Sequence, residues 1–547
     1  MRGAETFLFL LGATMRKPVK VDGSERRPLP GARVIGRTNP RAIVDVSIKV
    51  RRKQKLPELK TRPRVAMTRR ALAAKYGASG KDIAKVIRVL GSYGLKKVSA
   101  NAATRTVQLR GKVADLEAAF HTRLFDYAHE GGPYRGRVGA VHVPAAIQRV
   151  VEAVFGLDDR RVVRRRRRAR SAGRLSNKAL LAAWYTPDRL ARRYNFPDGD
   201  GKGQTLAVLE FGGGYFPADL KQFCRRVGVA VPKVIPISVD GTSTSKHDDD
   251  AAEVMLDVEV IAGICPKARI LVYFAQWTEQ GWLGALDAVL QDEKHQPAVV
   301  SISWGNAEDT DIWTDQAITQ INESLKEAAY LGITVCVAAG DDGSSDAVMD
   351  GLAHVDFPGS RPYALSVGGT TIPEDTSSPD IVWKEGDGLR AHKGGSTGGG
   401  VSTVLPRPSW QKRVKVKSVN PGARFGRCVP DVAANADWTA SPYLLVVNGK
   451  PQPNGGTSAA SPLWAALIAR LNGKRAASNR VGYLTPVLYQ GARRRGSKTV
   501  GAVGCTDVTS GNNTTDKIGG YSAGPGYDAA SGWGTPNGKK LLSALPR

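Results

Sequence analysis

At 547 residues the chain is too long for one ordinary hydrophobic core, and 41% hydrophobic with 24% charged residues exclude a disordered or fibrous protein, so two or more globular domains are expected. The formal charge of +29 sits in one third of the sequence: residues 1–180 carry 42 basic and 13 acidic side chains, residues 181–547 carry 37 of each. That distribution argues against a nucleic-acid binder along the whole chain, and the five widely spaced cysteines, without a Cys-x-x-Cys pair, exclude a zinc ribbon and a dense disulfide framework, though not a single disulfide.

No stretch reaches the roughly 20 apolar residues of a membrane span. Met1–Met15 holds Phe7-Leu-Phe-Leu-Leu11 behind Arg2, a short signal-like run interrupted by Glu5, and Met15 offers a second start. Residues 1–29 read as a leader or disordered segment, and the Pro-, Gly- and Arg-rich stretch 18–41 as irregular. Ala42–Val50 alternates and reads as a strand. Residues 51–70 are basic and loop-like. Lys81–Leu90 has helical spacing, with Ser79 or Gly80 at its start. Lys96–Ala100 and Thr104–Arg110 are short strands, Val113–Phe120 a helix, and Thr122–Tyr127 a strand. Strand, helix, strand, strand, helix, strand is the order of a ferredoxin-like α+β domain over 30–159.

Residues 160–180 follow, with the run Arg164 to Arg168 inside them. Such a block repels itself and reads as an exposed, disordered linker, a preferred place for proteolytic nicking. Thr186 then caps a helix with Pro187 at its first position. From there to 547, apolar runs at Thr205–Phe211, Arg269–Phe274, Ala298–Trp304, Thr334–Ala339, Ala364–Val367 and Tyr443–Val447 are mostly followed by glycine-rich turns and helical patterns. This is the pattern of an α/β domain with a mostly parallel sheet and flanking helices, whose active residues gather at the carboxyl ends of the strands.

Gly455-Gly-Thr-Ser458 precedes an apolar helical run, Leu463–Leu471. It places the Ser458 hydroxyl at or near a helix N-terminus, where unpaired N–H groups and the dipole favour negative charge. An isolated serine there is more often a cap. A nucleophile needs a base, and neither His247 nor His354, the two histidines near interesting sequence, has the context of one. Glu253 and Asp257 are four apart on a helical pattern that is apolar nearly all round, so the two carboxyls share one face and are buried together. A carboxylate held by a second carboxyl can deprotonate a serine, best below neutral pH. Asp341 ends an apolar run at Val337-Ala-Ala-Gly340 and, if protonated, can donate to a developing oxyanion.

With Glu253-Val-Met-Leu-Asp257, Ser301-Ile-Ser-Trp-Gly305, Ala339-Gly-Asp341, Gly398-Gly-Gly-Val-Ser402, Pro408-Ser-Trp-Gln411 and Gly456-Thr-Ser458 in this order, the chain resembles the sedolisin (serine-carboxyl peptidase) family, kumamolisin-like in particular, over about residues 30–540. The resemblance implies a subtilisin-like fold and an activation propeptide in the basic first domain. It also implies Ser458 as nucleophile, Glu253 as general base and acid, Asp257 as its orienting partner and Asp341 as the oxyanion acid. It further implies one structural Ca2+, with side-chain oxygens from Asp507 and Asp528 and carbonyls of Val508, Gly524 and Gly526; the residues themselves offer hard oxygens suited to that ion. Two departures stand out: Gly455 where many relatives carry serine, and the polyarginine linker.

The expectation is a secreted acid endopeptidase, made as a self-processing zymogen with a mature chain beginning between about residues 170 and 186. It would act as a monomer on peptides or proteins and be inhibited by its own propeptide, with no membrane or nucleic-acid partner. A tripeptidyl exopeptidase of the same family is the nearer alternative. Nucleic-acid binding by residues 1–180 is the alternative from another class.

Overall fold

The chain divides into two compact units. The first holds residues 17–54, 77–159 and 314–316; the second holds 55–76, 160–313 and 317–546. The computed structural model describes residues 17–162, 164–165, 168–169, 177–422, 424–492, 498–515 and 518–546. The signal-like run lies outside them, as do residues 163, 166–167 and 170–176 of the linker.

In the first unit, Ile43–Val50 turns Val44, Val46, Ile48 and Val50 inward, as its alternation demands. It lies between Thr106–Lys112 and Val151–Phe155, and Lys96–Asn101 completes an antiparallel sheet. In chain order the strands lie 2-3-1-4, and the helices Gly80–Gly91 and Val113–Phe120 fill the two crossovers, giving the ferredoxin-like arrangement. Ser79 caps the first helix, its hydroxyl accepting from Lys81 N–H at 3.2 Å. The fourth strand is not 122–127. Phe125–Ala128 pairs instead with Arg33–Arg37 and Tyr134–Gly136 in a separate sheet. Residues 18–41 are not all irregular either: Val19–Lys20 pairs with His142–Val143, and Val21 and Leu29 are buried.

The second unit is built on a sheet in the order Lys233–Ser238, Arg269–Phe274, Thr205–Glu210, Val299–Ile302, Thr334–Ala338, Leu365–Thr371, all parallel. Val432–Asn435 extends it in parallel and Ile381–Val382 antiparallel. The central strands are buried on both faces, which is why they read as unbroken apolar runs. Tyr443–Val447 departs from expectation. It forms a hairpin with Lys450–Gly455, turned by Asn448 and Gly449 at φ 52° and 69°, the pair of left-handed residues such a two-residue turn requires. The helices Ala251–Ile264 and Thr457–Gly473 pack against each other, and the second also lies against the central strands.

Two further segments differ from expectation. Residues 55–76 belong to the second unit, where Leu56, Leu72 and Tyr76 pack with Tyr330 and Leu331. The linker is not wholly irregular: Arg164–Arg165 pairs antiparallel with Trp304–Gly305, and Arg168–Ala169 with Asn454–Gly455. All five cysteines are buried free thiols. No described helix is long and apolar enough to cross a membrane.

Candidate active site

Ser458 is the second residue of its helix and is fully buried. The turn before it depends on Gly456, at φ 94°. The first-turn N–H groups of the helix have no intrahelical acceptor, so they face whatever charge gathers at its start. Four residues on, Pro462 interrupts the helical bonding, because it has no N–H to give to the Ser458 carbonyl. That carbonyl lies 3.3 Å from the Ser303 hydroxyl, which is also 2.8 and 2.9 Å from the two oxygens of Asp257. The Ser458 hydroxyl in turn donates to the Ser303 carbonyl at 3.4 Å. Ser303 follows the strand Val299–Ile302 directly, so a strand end joins the nucleophile candidate to the carboxylate helix.

Glu253 and Asp257 lie one turn apart on Ala251–Ile264, every residue of which is buried. Burial, and next the neighbouring Glu253 carboxyl, push the Asp257 carboxyl well above the usual carboxylate range, while the Ser303 hydroxyl pulls the other way. Glu210, at the carboxyl end of Thr205–Glu210, joins them. Its carboxyl is likewise held well above the ordinary range by burial and then by Asp257 and Glu253, and its Oε2 accepts from the Trp304 indole at 3.0 Å. Three acids so close do not all ionise; a proton shared among them is the arrangement of lowest charge.

Asp341 follows Thr334–Ala338 at the carboxyl edge of the sheet, where the expected fold puts active residues. Its Oδ1 accepts from Thr457 N–H at 2.8 Å and from the Thr457 hydroxyl at 2.7 Å, which fixes it beside Ser458. Gly398 runs so close that a Cβ there would meet the Ala339 carbonyl at 1.9 Å.

Ser458, Asp257 and Asp341 are thus joined by hydrogen bonds through Ser303 and Thr457, and Glu253 is grouped with Asp257 by charge. Sequence reasoning missed Ser303, Glu210 and Thr457 as members of the site. His247 and His354 have partners of their own. His247 stacks on Phe216, and His354 is clamped between Asp309 at 2.6 Å and Asp350 at 2.9 Å, which push its pKa up to about 9 although burial opposes them.

Near the carboxyl terminus of the chain, Asp507 Oδ2 accepts from Gly526 N–H at 2.7 Å, while its Oδ1 is buried with no partner among the described residues. Asp528 Oδ2 accepts from Gly524 N–H at 3.2 Å, and its Oδ1 from the N–H groups of Ala530 and Ser531. Burial raises both carboxyls, that of Asp528 to about 6. The carbonyls of Val508, Gly524 and Gly526 accept no backbone hydrogen bond among the described residues. Two carboxylates, one with an orphaned oxygen, and three open carbonyls in one loop cluster fit a hard cation.

Residues 31–160 match the family described as pro-kumamolisin, activation domain, and residues 241–520 match the subtilase family. The chain is 43% identical to kumamolisin of Bacillus sp. (strain MN-32), over 88% of this chain and 86% of that protein. It is 29% identical to tripeptidyl-peptidase sed5 of Aspergillus fumigatus, over 96% and 97%. Among solved structures, Pseudomonas sedolisin, a serine-carboxyl proteinase complexed with pseudo-iodotyrostatin, superposes with a TM-score of 0.56 at 28% identity, covering 66% of this chain and 97% of that one.

Proposed function

Because this chain belongs to the sedolisin family of serine peptidases, kumamolisin-like and made with that family's activation domain, we propose that it is a secreted, acid-acting endopeptidase that processes itself. Glu253 takes the proton of the Ser458 hydroxyl as its Oγ attacks the substrate carbonyl. Asp257, held by Ser303, orients Glu253 and shares its charge. Asp341, protonated on Oδ2, donates to the oxyanion together with the N–H groups at the helix start. Glu253 then returns the proton to the leaving amine as the C–N bond breaks. Water, deprotonated by the same carboxylate, releases the acyl group from Ser458. Glu210 is the acid that lets this cluster hold an extra proton. A Ca2+ ion held by Asp507, Asp528 and the carbonyls of Val508, Gly524 and Gly526 would tie the carboxyl-terminal loops together.

The relatives include tripeptidyl-peptidases, so cleavage of internal bonds needs its own support. The linker supplies it. Val162 N–H donates to the Trp277 carbonyl at 2.9 Å, Arg164–Arg165 pairs beside Ser303, and Arg168–Ala169 pairs just ahead of Ser458. Peptide chain is therefore held on both sides of the nucleophile, back to Val162 on the amino side. A site that ends after three residues and recognises a free amine has no room for that. The test compares internally quenched peptides of about ten residues with free-amino tripeptide amides at acid pH. Turnover of the long peptides at internal bonds is expected, and release of tripeptides alone would overturn the reading.

A further inference from the structure

Arg161 enters the cleft ahead of the paired linker and has a site of its own there. Its guanidinium carbon lies 5.0 Å from the centroid of the Trp277 ring and 5.9 Å from that of Trp304. Its Nη2 lies 3.4 and 3.3 Å from the two carboxylate oxygens of Asp250, which is buried. The next residue, Val162, is anchored through its backbone to Trp277, so the main chain sets where the Arg161 side chain goes.

Arg161, Asp250 and Trp277 line a cavity of about 820 Å³. Its other charges are already matched: Lys246 Nζ sits 2.8 Å from Asp248, and Arg390 Nε donates to Asp342 at 2.6 Å. Asp249 lines the cavity beside Asp250, which meets the Arg161 guanidinium. Lys246 Nζ also lies 5.9 Å from the Trp277 centroid, so this indole already attracts positive charge. Two indole rings and a carboxylate favour a planar, weakly hydrated guanidinium over an ammonium.

We propose that Asp250, Trp277 and Trp304 form a substrate subsite for an arginine lying several residues on the amino side of the bond that is cut. Arg161 fills it before processing, and a substrate arginine fills it afterwards. The proposal rests on the endopeptidase reading. If the linker is cut between residues 165 and 168, the arginine recognised lies five to seven residues before the cut. Recognition so far from the reacting carbonyl acts through binding, and so moves KM rather than kcat.

The test uses acid-processed protein and synthetic peptides reproducing residues 158–172, with Arg161 kept or replaced in an Arg161→Ala or Arg161→Lys version. Binding of labelled peptide is measured alongside cleavage. The Ala version should bind and be cut about tenfold less well, and the Lys version about threefold, with the loss in KM. Trp277→Ala in the enzyme should shrink the Arg-to-Ala contrast to near unity. Asp250→Asn gives a second, milder variant should Trp277→Ala fold poorly. Equal affinity for the Arg and Ala peptides, or a contrast that survives both variants, overturns the subsite. Peptides that bind with the expected contrast yet are never cut leave the subsite standing and sink the endopeptidase reading instead.

Discussion

Thr457 gives both of its hydrogen-bond donors, N–H and hydroxyl, to the same oxygen of Asp341, its Oδ1. An oxygen facing two donors does not carry the proton of a carboxylic acid, so that proton belongs on Oδ2. If the Oδ2 proton is donated to the oxyanion, activity falls as pH rises and Asp341 loses it. Asp341→Asn keeps a carbonyl oxygen for Thr457 and substitutes an amide N–H for the acid. The variant should fold, lose about two to three orders of magnitude in turnover at acid pH, as loss of an oxyanion donor does, and show a weaker alkaline decline. Full activity with an unchanged pH profile would reduce Asp341 to a turn residue.

Ser303 is the bridge between Asp257 and the Ser458 carbonyl that Pro462 leaves unbonded. Ser303→Ala removes that donor from two buried acceptors. The expected cost is about 1–3 kcal/mol in denaturant unfolding, together with a fall in kcat and little change in KM. A variant as stable and as active as the parent would show the bridge to be incidental.

Buried acids also set how stability depends on pH. Glu259, away from the site, is buried, its carboxyl raised well above the usual range by burial while Val446 N–H, donating at 2.8 Å, pulls it back. Unfolded glutamate titrates near 4.3 (roughly). Above that pH the unfolded chain releases a proton that the folded chain keeps, so this stability is complete in acid and is lost as pH rises toward the folded pKa. Each such group steepens the loss by up to about 1.4 kcal/mol per pH unit. Melting temperatures should therefore fall between pH 4 and 7, and Glu259→Gln, which preserves an acceptor for Val446, should flatten the slope. A parent melting temperature that climbs across this range contradicts the argument.

The proposed self-processing would act where the linker pairs with the enzyme. At acid pH the full-length protein should shorten, with a first cut between residues 165 and 168 readable by amino-terminal sequencing, upstream of the 170–186 expected from sequence. Ser458→Ala should remain whole. If the purified serine variant matures as fast as the parent, another protease does the cutting.

Chelation should lower the melting temperature, because a bound ion stabilises only the folded chain. Asp528→Ala should abolish the response to both chelator and added calcium. Indifference of the parent protein to either reagent would remove the ion from the account.

Glu253, Asp257, Asp341 and Ser458 could be singled out in sequence because each sits in a short local pattern: two acids one turn apart on an apolar helix, an acid after a strand and a glycine, a serine after Gly-Gly-Thr. Their partners were harder to see. Ser303 lies in the Ser301–Gly305 motif, yet nothing local says that its hydroxyl meets Asp257, 46 residues away in sequence. Glu210 closes a strand, and the rule that function gathers at strand ends would have marked it. In the first unit, Val151–Phe155 is short and nearly all apolar, so it carries no alternation, and Thr122–Tyr127 stands in its place by order alone. Tyr443–Val447 looked like a core strand because it is one in burial, but the Asn-Gly turn after it commits it to a hairpin.

The arm 55–76 belongs to the second unit although the chain on either side of it belongs to the first. Within it, Glu58 bonds to Lys326 at 2.6 Å and to the Tyr363 hydroxyl, and Arg69 donates to the Leu290 carbonyl at 2.7 Å. A single cut in the linker removes the covalent join but none of these contacts. What had been an intramolecular inhibitor becomes a separate molecule, and its hold on the enzyme becomes a matter of concentration. Under the proposed self-processing, activation would have two stages with different orders: a cleavage that dilution leaves alone, and a release that dilution drives. Acid favours the second stage as well, since burial opposes but Lys326 and Tyr363 together hold the Glu58 carboxyl below its usual range, and the bonds they make are lost as pH falls through that lowered value.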